Sequence, residues 1–225
     1  MSVLMKIESL PSLRDRVADQ LRASIVEGVL KPGARLVERE LCEQMGVSRP
    51  SVREAMRQLE NEGLITNVPN RGPIVVVVSA KAAAEIYEVR SALEGLAARL
   101  FARNASQKAM AEIKQCCDML IETPKDAPAS EYLALKDRFY AILLEGADNE
   151  VLSHLSGMAL RRFYQLRNLS VAKTGRAEES RKEIKKLVDA LLLRDGDAAE
   201  RACVEHIQNT AKAVFRALAH DLEDR

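Results

Sequence analysis

Tryptophan is absent from these 225 residues, and aromatic side chains of every kind make up only 4%. A chain so poor in rings has little on which to stack unpaired bases, so a single-strand-binding surface is not expected. Histidine occurs only three times. No Ser–His–Asp, Cys–His or phosphate-loop pattern accompanies it, which argues against an enzyme. No apolar run approaches the roughly 20 residues that span a bilayer, so no membrane partner is expected. The formal net charge is only +1, and attraction to nucleic acid would have to come from local clustering of charge. Cys42, Cys116, Cys117 and Cys203 form no C-x-x-C pair and are expected to be reduced, buried thiols. The first residues lack the positive-then-apolar layout of a secretion signal, which makes a cytoplasmic location the expectation.

What is present is a helix-forming composition rich in Ala, Leu, Glu and Arg, with 47% apolar residues to build a core. Two grammars divide it, and a domain boundary is expected between residues 79 and 80. Up to Ser79 the segments are short and broken by Gly and Pro. Ser12 and Asp15 form a capping-box pattern ahead of Val17, Leu21 and Ile25, which are spaced four apart on one helix face. A short helix over Glu38 to Met45 follows, and Ser48 is placed as N-cap of a third helix reaching about Glu62. Leu64–Val68 and Ile74–Val78 then read as strands around a Pro69–Gly72 turn. Helix, helix, turn, helix, hairpin is the order of a winged helix-turn-helix.

The third helix carries Arg49, Arg53 and Arg57 four apart, opposite Val52, Met56 and Leu59. A guanidinium fork matches guanine O6 and N7 and also reaches phosphates, and a recognition helix presents such donors from its N-terminal half. A solvated basic face paired to Glu54 and Glu60 is the alternative. The stretch LVERELCEQMGVSRPSVREAMRQLENEGLI, with the wing PNRGPIVV, resembles the DNA-binding domain of the GntR family of bacterial transcription regulators. That resemblance implies contacts to DNA from Arg39, Arg49 and Arg53, helped by Ser48 and Ser51, with the wing tip at Arg71 and Gly72 in the minor groove.

From residue 80 to 225 the periodicity is helical and few breakers intervene, giving an all-α bundle of six or seven helices and a mainly α protein overall. Ile86, Val89, Leu93, Leu96 and Leu100 mark an expected inward stripe. Ser130 is placed as one helix N-cap, and Asp197 with Glu200 as a capping box for the last helix. The fragments RSALEGLAARL, FYAILLEGADN and RDGDAAERACVEHI resemble the FadR-type effector domain of the same family, known as FCD. Many such domains hold a divalent metal through an Asp and a His four residues apart and two further His. The matching positions here are Lys136, Tyr140, Ile184 and His206, so three of the four ligands are replaced and no metal or other cofactor is expected.

Arg90 and Arg162 lie beside apolar stripes of their helices, and Lys136 and Tyr140 are one turn apart. Convergence of these with His206 would give a pocket for a small organic anion, whereas cations snorkelling to Glu94 or Asp137 would give none. The combined expectation is a ligand-responsive regulator, a repressor by family habit, that binds palindromic operator DNA as a homodimer. A bundle that only dimerises, or one that acts as an enzyme fused to a DNA-binding domain, are the rivals.

Overall fold

The computed structural model describes residues 12–26, 28–124, 127–157 and 176–223. The chain falls into two compact units, Met1–Val77 and Val78–Arg225, each with its own apolar core.

In the first unit, α1 (Leu13–Val26) opens on the expected capping box. Ser12 Oγ accepts from the Asp15 amide at 3.2 Å, and the Ser12 amide donates to the Asp15 carboxylate at 3.0 Å. Two end amides are thereby satisfied. Helix α2 (Glu38–Met45) stops at Gly46, and α3 (Arg49–Asn61) begins after a turn of two residues. Ser48 holds the N-cap position of α3, but its hydroxyl lies 3.0 Å from that of Ser51 and caps no amide. Pro50 sits in the first turn of α3, where its missing N–H costs nothing. Val17, Leu21 and Ile25 of α1 share one core with Val52, Met56 and Leu59 of α3.

The hairpin is tighter than the sequence suggests. Strands β1 (Ile65–Val68) and β2 (Gly72–Val75) pair antiparallel from Ile65–Val75 to Val68–Gly72. Asn70 and Gly72 both take positive φ, and the chain reverses so sharply that pairing resumes at Gly72, two residues before the expected Ile74. Beyond Val75 the Val76 amide still reaches back, to the Leu64 carbonyl at 3.0 Å.

Every described secondary-structure element of the second unit is a helix. Helix α4 (Ala80–Asn104) is capped by Ser79, α5 (Gln107–Glu122) by Ser106, and each hydroxyl accepts from an amide of its first turn. Helix α6 (Ala129–Gly146) starts after Pro128, so Ser130 lies inside its first turn and is not the cap. Asn149 caps α7, which opens at residue 150 and is described to residue 157. Helix α8 (Arg176–Leu192) precedes α9 (Gly196–Glu223). The cap of α9 is Asp195, whose carboxylate accepts from the Ala198 amide at 2.9 Å. Asp197 instead pairs with Arg99 at 3.0 Å.

Helix α9 packs along α4 and α8, while α5 rests on α6 and α8. Gly95 sets the closeness of the first contact, since a Cβ there would fall 2.8 Å from Val204 Cγ2. The buried face of α4 is only partly the expected one, for Ile86, Leu93 and Leu100 pack against the core at its margin. Ala83, Tyr87, Arg90, Glu94, Ala97, Ala98 and Phe101 point inward, while Val89 and Leu96 are exposed. Leu155 of α7 is exposed as well. The stripe of larger apolar residues on α4 had outvoted, in the pattern, a face of small residues and two opposite charges.

Cys116, Cys117 and Cys203 are buried free thiols, and Cys42 is half-buried. Burial pushes the Cys117 thiol up to about 11, which leaves it unreactive.

Candidate nucleic-acid interface and buried polar cluster

Helix α3 turns Val52, Ala55, Met56 and Leu59 into the core, and the 3.6-residue period then brings Arg49, Arg53 and Arg57 to the outside. Arg53 is held in place by a fork–fork pair with Glu38 of α2. Its Nε donates to Oε1 at 3.1 Å and its Nη2 to Oε2 at 3.0 Å. The hydrogen bonds from Arg53 hold the Glu38 carboxyl below its ordinary range. Arg57 reaches Glu54 at 2.8 Å, as the solvated-face alternative has it. Arg39 and Glu43 come within 3.9 Å, both largely exposed. Arg49 is exposed and forms no salt bridge among the described residues.

The wing tip presents an exposed Arg71, whose amide donates to the Val68 carbonyl at 3.0 Å. Gly72 follows with φ 77 and no atom within 4 Å of a hypothetical Cβ. Backbone conformation requires glycine here, not crowding. Asn67 ties the wing to α3 through Glu60 at 2.9 Å. Ser48, Ser51, Arg49 and Arg53 therefore share one end of α3, and Arg39 lies on the neighbouring α2. Arg71 and Gly72 form a separate tip.

A second polar grouping lies inside the bundle. Arg90 is 2% exposed and clasps Glu94 one turn along α4, with Nε donating at 2.6 Å and Nη2 at 3.1 Å. It is no snorkelling cation. Its guanidinium also faces the rings of Tyr87 and Tyr140, 5.4 and 5.9 Å from their centroids. Burial raises the Tyr140 phenol well above its ordinary value, with the Glu94 charge adding to the effect, so it stays a neutral donor.

Lys136 of α6 is half-buried, with Nζ 3.4 Å from His206 Nε2 and 3.4 Å from Ser180 Oγ. Tyr132 donates to the same serine at 2.9 Å. On its other side His206 Nδ1 lies 2.6 Å from Glu183 Oε2. Glu183 is also gripped by Arg176 at 2.8 and 3.1 Å and by Asn209 at 2.9 Å. Burial would raise Glu183, but the hydrogen bonds from His206 and Arg176 outweigh it and hold the carboxyl at about 2. Burial and the Lys136 charge bring His206 down to about 3, so the ring is neutral, with Nδ1–H donating to Glu183.

Of the five side chains expected around an anion, Lys136 and His206 touch, and Arg90 and Tyr140 face each other. Arg162 lies outside the described residues. Tyr132, Arg176, Ser180 and Glu183 were not anticipated. The last three recur at spacings of four and three on α8, in line with buried Ile184 and Leu187, and such a polar interruption of an apolar stripe was the readable sign.

The FCD domain pattern matches residues 85–209, and the pattern of the bacterial regulatory proteins of the gntR family matches residues 13–75. The chain belongs to the GntR family. A probable D-xylose utilization operon transcriptional repressor of Paenarthrobacter nicotinovorans is 30% identical over 92% of this chain and 91% of its own length. YdhC, an uncharacterized HTH-type transcriptional regulator of Bacillus subtilis, is 29% identical over 92% of each chain. The solved structure of E. coli McbR/YncC superposes with a TM-score of 0.80 at 23% identity, covering 92% of this chain and 99% of that one. As a GntR-family member with an FCD domain, the protein is a transcriptional regulator and not an enzyme. No helix among the described residues is long and apolar enough to cross a membrane.

The divalent metal that the FCD resemblance implies does not fit the residues present. Tyr140 and Ile184 are buried at two ligand positions, and isoleucine has no donor atom. The lone pair of His206 Nε2 faces the Lys136 ammonium. No group of three or more His, Cys, Asp or Glu residues that could hold a metal exists among the described residues.

Proposed function

We propose that this GntR regulator is a ligand-responsive repressor of the FadR subfamily, acting in the cytoplasm on a palindromic operator. The observation that carries the DNA half is the exposed cationic end of α3, with Arg49 outside any described salt bridge and Arg53 preset by Glu38. Ser48 and Ser51 flank that end, Arg39 lies beside it, and Arg71 and Gly72 supply the wing contact. A homodimer would place two such helices in successive major grooves. Support for it comes from Val89, Ala92 and Leu96, an apolar stripe that α4 leaves exposed.

The effector is a small organic anion taken up in the bundle by Arg90, Lys136, Tyr140, Arg162 and His206. It would act by binding one of two arrangements of the dimer more tightly than the other. The buried polar cluster favours this over a bundle that merely dimerises, because a bare dimerisation module has no use for so many interior charges. Gel-shift titration against DNA flanking the coding sequence tests the reading. Arg49→Ala should weaken specific binding by about 1–3 kcal/mol if that arginine reads a base. Unchanged affinity would remove α3 as the reading element.

A further inference from the structure

The buried cluster has an organisation that the metal-binding arrangement of related domains does not account for. Glu183 clamps His206 Nδ1 at 2.6 Å and fixes the tautomer whose Nε2 lone pair is directed at Lys136. An ammonium hydrogen bond and a metal bond compete for that one lone pair, and the ammonium also repels a dication. Ser180 Oγ accepts from both Lys136 Nζ and the Tyr132 hydroxyl and so joins the two. Arg176 is 8% exposed, and while its two terminal nitrogens are engaged by Glu183 and Thr210, its Nε–H is buried without a hydrogen-bond partner among the described residues. A buried donor left over beside so many satisfied ones calls for an acceptor.

We propose that Lys136 is the resident cation of this site, standing where a divalent metal would otherwise be held. With the Tyr132–Ser180 hydroxyls and the spare Nε–H of Arg176, it binds a carboxylate by direct charge-assisted hydrogen bonds and no metal. The inference rests on the organic-anion reading above and narrows it to metal-free recognition of a carboxylate through these residues. Arg176, Tyr132 and Ser180 thereby become binding residues, and His206 becomes a positioning residue that steadies the ammonium through its neutral ring.

The test uses the full chain, dialysed against EDTA, with citrate and succinate as probes. Citrate or succinate should raise the melting temperature of the wild type in the continued presence of EDTA. Lys136→Met should weaken that binding roughly tenfold or more, and Lys136→Arg should retain most of it. Calorimetric titration with zinc, nickel and manganese should show no stoichiometric uptake by the wild type. The triple variant K136D/Y140H/I184H, which restores the four ligands, should take up one equivalent.

The proposal is overturned by any of several results: one equivalent of metal bound by the wild type and lost in His206→Ala, stabilisation by the carboxylates that vanishes in EDTA, equal binding by wild type and Lys136→Met, or no response of the wild type to either probe. Operator binding is measured separately, so loss of this inference leaves the DNA half standing. A carboxylate response that requires metal would sink the inference alone and leave the anion effector intact.

Discussion

Arg90 and Glu94 are the two charges most completely withdrawn from water in the described structure, and they pair with each other. Desolvating an ion pair consumes most of its own attraction, so the pair adds little net stability, but a widowed partner is costly. Glu94→Leu should therefore destabilise the protein by about 3–5 kcal/mol, measured by urea denaturation. Replacing both, Arg90→Leu with Glu94→Leu, should restore a large part of the loss. If the double variant proves as unstable as the single, the ring contacts of Arg90 matter more than its charge partner. At this scale the sequence was legible where chemistry is local. Gly72 announced its own positive φ, and Arg49 declared itself by its offset from Val52 and Met56. Glu183 and Arg176 were not legible, because their meaning comes from His206 and Thr210, twenty or more positions away.

Among the elements, α4 shows how a hydrophobic pattern misleads. Counting large apolar side chains points to Ile86, Val89, Leu93, Leu96 and Leu100, of which Val89 and Leu96 are exposed and the others only partly buried, whereas the helix fully buries Ala83, Ala97, Ala98, Ala102, Gly95 and a charge pair. Small residues allow α9 to approach closely, and proximity of two backbones yields more dispersion contact than a protruding valine would. Gly95→Ala puts a methyl group 2.8 Å from Val204 Cγ2. Overpacking of this kind costs about 1–3 kcal/mol, against which the better helix propensity of alanine recovers about 0.5–1. Thermal denaturation should show a net loss. The cost of Gly95→Ala should shrink when Val204→Ala is present, and simple additivity would place the strain elsewhere. The helices of the first unit, by contrast, are legible nearly to the residue, since their turns and periodicities agree even where the Ser48 hydroxyl caps no amide.

For the whole molecule, the buried cluster couples stability to acidity. His206 is held near 3 against an ordinary 6.5, and Glu183 near 2 against 4.5. Both folded values lie below the unfolded ones, so as pH falls the unfolded chain takes up these protons first and is favoured. His206 therefore withdraws stability from about pH 6.5 down to about 3, at up to about 1.4 kcal/mol per pH unit. Glu183 adds to the loss from about 4.5 to about 2. Chemical denaturation at a series of pH values should show the wild type weakening below about 6.5, while His206→Gln is flatter between 6.5 and 4.5. Equal slopes for the two proteins would mean that the imidazole titrates freely in the fold.

The scarcity of rings has an optical consequence. The tyrosines are Tyr87, Tyr132, Tyr140 and Tyr164, all beyond the first unit. Three of them stand against Arg90, Ser180 or Arg181 at the heart of the bundle. With no indole to outshine them, the near-ultraviolet absorption and emission of the native protein come from the second unit alone. A molecule that settles among the interior phenols would alter their light, and no label has to be attached to see it.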